Sequence, residues 1–274
     1  MSEKNDATVV CLGEILVDFT SVGISDAGQP LYECNPGGAP ANVAAAVARL
    51  GGRSAFIGTV GSDPFGVFLR TALVNCGVDV RGLGVCAEHH TTLAFVNLAP
   101  DGERSFSFCR SPGADTTLSP ESLDPDLLTG CRFLHVGSLS LTREPARSAT
   151  MAAIERVRAS GGLICVDPNW RPNLWPDRDT GIRAMKSLVQ HADILKVSDE
   201  ELPLLTGTSD PEYGARLLLQ QGPSLVLVTL GKDGAFVSSA ADSFRVPAPE
   251  VSVLDTTGAG DSFVGGLLFR LSLM

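Results

Sequence analysis

The run Asp255-Thr256-Thr257-Gly258-Ala259-Gly260-Asp261-Ser262-Phe263 places small residues directly before a segment with helical apolar spacing. A helix start of this kind offers backbone N–H groups and the positive end of a dipole, which together attract an anion. Asp261 adds a negative charge at that point. It suits a carboxylate that takes a proton from an attacking hydroxyl while the amides hold developing phosphoryl charge. An Asp-capped tight turn would use the same residues, and the run alone does not separate the two readings.

Three other runs carry potential chemistry. Gly37-Gly38-Ala39-Pro40-Ala41-Asn42 leads into Ala44-Ala45-Ala46. Its glycines allow close backbone approach, and Asn42 brings donors and acceptors to a helix of small side chains. A polyhydroxyl ligand could lie there, as could a closely packed neighbouring helix. Asp18 ends Gly13-Glu14-Ile15-Leu16-Val17-Asp18 just after a first strand, where a carboxylate can accept two sugar hydroxyls. Glu14 is the alternative carboxylate for that role, with an ordinary surface residue as its default reading. Thr229-Leu230-Gly231-Lys232-Asp233-Gly234 is a strand end and glycine turn, open to a nucleotide or to a turn alone.

The elements that must position these residues alternate. Strands are expected at Val9–Leu12, Ser54–Val60, Phe133–Val136, Leu163–Asp167, Ile194–Val197 and Leu225–Thr229. Helices are expected at Ala39–Leu50, Pro64–Cys76, Glu144–Ser160, Asp177–His191, Glu212–Gln221 and Gly260–Leu273. This alternation predicts a parallel sheet covered on both faces. Two stretches break the rhythm, roughly residues 19–36 and 78–110, the second reading as consecutive strands with a turn at Asp101-Gly102. They are expected to form a small inserted sheet near the strand ends, a candidate lid.

Composition narrows the partners. The 274 residues are 44% hydrophobic and 19% charged, enough for a substantial core in one large α/β domain or two small ones, and the single-domain reading is the expectation. A formal net charge of -10 argues against nucleic acid or an anionic membrane. No apolar run approaches a membrane span, and the polar start resembles no signal peptide. The seven cysteines are scattered without a Cys-x-x-Cys pair, as expected of reduced thiols in a cytoplasmic protein. His89-His90 is the only histidine cluster and suggests rim residues rather than a metal site. P-loop, dinucleotide and nucleophile-elbow motifs are all missing.

Taken together, Gly37 to Gly51 and Asp255 to Asp261 with Gly265-Gly266 resemble the two signatures of the ribokinase-like (PfkB-type) carbohydrate kinases. The likeness is strongest to fructokinases, through Gly13 to Phe19, Ser54 to Gly58, Arg104 to Phe108 and Gly137 to Leu141. It implies a three-layer α/β sandwich with a mostly parallel central sheet and a small β-sheet lid. The implied reaction is ATP-dependent phosphorylation of a sugar hydroxyl, D-fructose to fructose 6-phosphate. By position, Asp261 is the implied base and the N–H groups of Gly258, Ala259 and Gly260 the anion hole. Asp18, Gly38 and Asn42 would hold the sugar, with Arg110 and Arg171 reaching sugar or phosphate. Ser198, Thr229, Gly231 and Gly234 would line ATP, and Glu201 would order a hydrated Mg²⁺. Asp255 and Thr257 resemble half of a monovalent-cation (K⁺) loop.

The sequence departs from the family in two places. Ser198-Asp199-Glu200-Glu201 stands where Asn-x-x-Glu is common. The family also continues past the last helix, so the resemblance implies that the C-terminal part of the fold is missing, with uncovered apolar surface on Gly260–Leu273 and weak turnover. Phosphorylation of another sugar or sugar acid, such as ribose or 2-keto-3-deoxygluconate, and a non-catalytic sugar-binding relative are the competing expectations. The lid strands, with Phe95, Phe106 and Phe108, are also expected to pair two subunits into a homodimer.

Overall fold

All four residues of strand β1 (Val9–Leu12) are buried, Val10 and Leu12 in one apolar cluster and Val9 and Cys11 in another. A strand with both faces in apolar surroundings requires cover on both sides. The structure, a computed structural model, describes residues 8–98, 104–252 and 256–274. In chain order β1 is followed by β2 (Leu16–Ile24), β3 (Pro30–Gly37), α1 (Ala39–Arg49), β4 (Ser54–Gly61), α2 (Pro64–Cys76), β5 (Leu83–Cys86), β6 (Leu93–Leu98) and β7 (Arg104–Cys109). Next come α3 (Pro125–Gly130), β8 (Phe133–Val136), α4 (Ala146–Ala159), β9 (Leu163–Val166), α5 (Arg178–Val189), β10 (Ile194–Ser198) and α6 (Leu202–Thr206). The chain then forms α7 (Pro211–Leu219), β11 (Leu225–Thr229), β12 (Ala235–Ser239), β13 (Ser243–Val246) and α8 (Ala259–Ser272).

Nine strands form the central sheet in the order β13-β12-β11-β10-β9-β8-β1-β4-β5, parallel from β11 to β5 and antiparallel at β12 and β13. One face packs on α3 to α7 through residues such as Leu127, Ile154, Met185, Leu202 and Leu218. The other packs on α1, α2 and α8 through Val43, Val47, Leu69, Val264 and Leu268. The chain runs outward from β1 to β4 and β5, then returns beside β1 and runs the other way through β8, β9 and β10. Strand order reverses at β1, and a crevice at the carboxyl ends of the strands is expected there.

The small sheet, ordered β3-β2-β6-β7, begins only three residues after β1 and so hangs over that crevice. Phe19 stacks on Phe95 with centroids 5.0 Å apart and meets Phe65 of α2 edge-on at 5.7 Å, seating the sheet on the main body. The expectation for residues 78–110 needs correcting at its start. Leu83–Cys86 pairs with β4 in the central sheet, and only β6 and β7 join the small one. The hairpin β12–β13 and helices α3 and α6 were absent from the sequence reading.

Helix α8 is better seated than expected. Val264, Gly265 and Leu268 are buried, and a Cβ at Gly265 would lie 2.5 Å from the Ala46 Cβ, so α1 and α8 pack backbone to backbone. The alanine stripe of α1 serves this packing. Phe263 and Leu273 on the far side are exposed. Among the described residues no helix is long and apolar enough to cross a membrane.

Candidate active site

The close pairing of α1 and α8 brings their first turns together. Asn42 donates from Nδ2 to Oδ2 of Asp261 at 2.8 Å. From the loop after β9, Asn169 donates to the other carboxylate oxygen at 3.4 Å. Asn169 has φ +52°, an uncommon left-handed conformation for a residue with a side chain, and it turns the amide toward Asp261. Asp261 is 9% exposed. Burial holds its carboxyl above the ordinary value, opposed by Asn42, Lys196, Arg171 and Asn169.

Glycine makes the approach of the chain to this point possible. Gly38, the cap of α1, has φ +103°, and a Cβ there would stand 2.5 Å from the Glu14 carbonyl oxygen. Gly258, the cap of α8, has φ +72°, a conformation that favours glycine, and stands beside Asn42 and Asp261. The anion-hole expectation is modified in one respect: the Ala259 N–H donates to the Thr256 carbonyl at 3.1 Å and closes a turn.

Two cavities meet at Asp261. One, of about 80 Å³, is lined by Glu14, Asp18, Gly38, Asn42, Asn169 and Arg171. The other, of about 300 Å³, is lined by Lys196, Ser198, Glu201, Thr256 and Gly260. Asn169, Arg171, Thr257, Gly258 and Asp261 border both. A wider cleft of about 530 Å³ opens from Asp18 and Asn42 toward Thr20, Asn35 and Val96 of the small sheet. Burial raises Asp18 to about 6, opposed by Arg171 and reinforced by Asp261.

Lys196 lines the larger cavity and belongs to an ion pair that sequence reasoning missed. Alternation along β10 sends Leu195 and Val197 to one face and Lys196 to the face under α8. There Nζ of Lys196 meets Asp167 at 2.9 Å, both buried. Gly260 carries no side chain, so α8 can descend on this lysine; a Cβ would lie 3.1 Å from Nζ. Burial pulls Lys196 down, but Asp167, Glu201 and Asp261 outweigh it and keep the ammonium charged. Burial pushes Asp167 up to about 6, against the pull of Lys196. A lysine within an otherwise apolar strand was the available signal.

Other expected site residues are placed as follows. Glu201 is buried and accepts the N–H of Trp170 at 2.7 Å and that of Ser198 at 2.8 Å, while still bordering the larger cavity. Ser198 borders it too and accepts the Glu201 N–H at 3.2 Å. Thr229 lies beside Ser198 in register, and Gly231 follows in the next turn; neither lines a cavity described above. Gly234 faces the main chain of Val246 to Ala248 at close range, which gives it a role in the turn. Thr257 borders both cavities, and Asp255 lies outside the described residues.

Arg110 requires a correction. Its guanidinium is buried against Asp115, with Nε donating at 2.7 Å, and it also donates to Thr142 Oγ1 and the Leu139 carbonyl. It braces the wall behind the small cavity, through Leu139, instead of lining it. Glu14 also differs from expectation, being buried behind the Gly38 loop rather than at the surface.

Among the described residues no three His, Cys, Asp or Glu side chains converge as a metal cage. The buried Asp167 has an oxygen without a partner and Glu201 stands nearby. Of the two, Glu201 borders the larger cavity and would order a hydrated divalent ion there, as Mg²⁺ is commonly held through its waters.

A family model described as pfkB family carbohydrate kinase matches residues 6–273. Fructokinase-2 of Solanum habrochaites is 45% identical over 271 residues, 98% of this chain and 83% of that protein. The crystal structure of fructokinase from Vibrio cholerae O395 in fructose-, ADP- and calcium-bound form superposes with a TM-score of 0.90 at 41% identity, covering 99% of this chain and 86% of that one. Aminoimidazole riboside kinase from Salmonella enterica, complexed with aminoimidazole riboside and an ATP analogue, gives 0.85 at 38% identity, covering 97% and 84%. With both signatures at one crevice and nearly the whole length matched, the chain belongs to the pfkB family of carbohydrate kinases.

Proposed function

We propose that the chain transfers the γ-phosphoryl group of ATP to the primary hydroxyl of a neutral sugar, D-fructose, giving fructose 6-phosphate and ADP. The observation that carries this reading is Asp261, fixed by two asparagines where a small cavity beside the Asp18 cleft meets a larger one lined by a lysine. Asp18 and Asn42 accept and donate hydrogen bonds to sugar hydroxyls, and Asn42 holds the Asp261 carboxylate toward the acceptor. Asp261 takes the hydroxyl proton as the oxygen bonds to the γ-phosphorus and the bond to the β-phosphate oxygen breaks. Lys196 and the start of α8 offset the charge carried by the transferring group. Mg²⁺ bound with ATP, held through water by Glu201, would supply further neutralisation of the phosphate oxygens. Thr257 is the described residue that a K⁺ site would use.

A neutral acceptor is favoured over a sugar acid by charge. Among the described residues the small cavity is bordered by three carboxyl side chains, Glu14, Asp18 and Asp261, against the single cation Arg171, and Arg110 is taken up by Asp115. The relatives named fructokinase, and the fructose-bound Vibrio structure, support the choice of fructose. The small sheet acts in this proposal as a lid that excludes water during transfer. Its edge strand β3 exposes Leu31 and Tyr32, the surface through which two copies would meet, in a cytoplasmic setting.

The test is a panel of acceptors with coupled ADP detection: fructose, ribose, 2-keto-3-deoxygluconate and aminoimidazole riboside. Fructose is expected to give the highest kcat/KM. A higher value for the sugar acid or the riboside reassigns the acceptor, and no turnover with any of them rejects the kinase reading.

A further inference from the structure

Glu14 lies in the three-residue link between β1 and β2 and is 3% exposed. Its Oε1 accepts the Ala39 N–H at 3.2 Å, tying the link to the start of α1. Its Oε2 is shut off from solvent and has no hydrogen-bond partner among the described residues. Buried carboxylate oxygens are rarely left this way, because desolvation is costly without a compensating bond. The cation that might have served, Arg110, has its donors committed to Asp115, Thr142 and Leu139. Glu14 borders the same small cavity as Asp18, Asn42 and Asp261, so the residue stands in the wall of the space the acceptor's hydroxyls would fill.

We infer that Glu14 completes its hydrogen bonding with a hydroxyl of the bound sugar and so helps to select the acceptor, an inference that rests on the sugar-kinase reading above. Burial pushes the carboxyl up to about 7, opposed by its own backbone N–H and by Arg110. Near neutrality the group therefore exists in both forms and can accept from or donate to a hydroxyl.

The experiment measures binding of fructose and a set of monodeoxyfructoses by calorimetry, for the wild type and Glu14→Ala. The wild type is expected to bind one analogue about 10- to 100-fold more weakly than fructose through this contact. In Glu14→Ala that ratio should fall to about twofold, while the ratios for the other analogues persist. A structural role alone would weaken all ligands alike and leave every ratio at its wild-type value, which would overturn the inference. A second readout needs no variant in the binding measurement: ¹³C-carboxyl NMR of the labelled wild type, with the Glu14 signal assigned by its loss in Glu14→Gln. That signal should move with fructose and stay in place with the discriminated analogue. A signal indifferent to fructose overturns the inference even if Glu14→Ala does not fold. If no sugar binds at all, the kinase reading fails and this inference with it; fructose binding with an unmoved signal refutes this inference alone.

Discussion

Replacing Asn42 with Ala removes the 2.8 Å bond to Asp261 Oδ2. A hydrogen bond to a charged group in a buried setting is worth about 1.5–3 kcal/mol. Asn42 is the first of the groups that oppose the effect of burial on Asp261, ahead of Lys196, Arg171 and Asn169. At about 1.4 kcal/mol per pKa unit, its loss should raise the Asp261 pKa by about one to two units. The direction follows from the base form. Only the carboxylate accepts the hydroxyl proton, so a raised pKa moves the acid limb of the rate profile to higher pH. The assay is kcat at saturating fructose and MgATP, followed from about pH 5 to about pH 9. The midpoint should shift upward, with most of the rate recovered on the alkaline plateau. Uniformly lower rates around an unmoved midpoint would refute the coupling and leave Asn42 as a sugar ligand only.

Arg110→Met should leave the Asp115 carboxylate buried and unpaired, lowering stability by about 3–5 kcal/mol in urea denaturation; a raised fructose KM with unchanged stability would instead place Arg110 on the substrate. Gly38→Ala should cost stability and sugar affinity together, since φ +103° and the Glu14 carbonyl oxygen both oppose a Cβ. A variant of wild-type stability would show that the link yields easily. Glu14 titrates at about 7 in the fold against an ordinary 4.5, so its ionisation works against folding as pH rises through that window. Glu14→Gln should therefore gain about 3 kcal/mol relative to the wild type between about pH 5 and about pH 8, read from urea midpoints. An identical pH dependence in both proteins contradicts the raised value.

The central strands were legible because each is a short β-branched run between helical patterns, and Val9–Leu12 and Phe133–Val136 match to the residue. The hairpin β12–β13 was hidden because β13 is only four residues long, exposed throughout, and lacks the continuous apolar run of the central strands. Leu83–Cys86 was assigned to the wrong sheet, since a strand's own pattern does not reveal which edge it joins. At the site, Asp18, Asn42 and Asp261 were visible through glycine-rich punctuation. Asn169, Lys196 and Asp167 were not, because their meaning comes from register across β9 and β10 and from where α8 comes to rest. Arg110 was misread for a related reason. A sequence displays a charge but not the Asp115 that neutralises it five residues later.

Turnover by Asp261→Asn tests the central assignment most directly, because the amide keeps the size of the side chain and abolishes its basicity. Measured beside calorimetric fructose binding, kcat should drop by about 10²- to 10⁴-fold while the sugar still binds. A variant that phosphorylates fructose at close to the wild-type rate would show that the proton leaves by another route and that Asp261 is not the base.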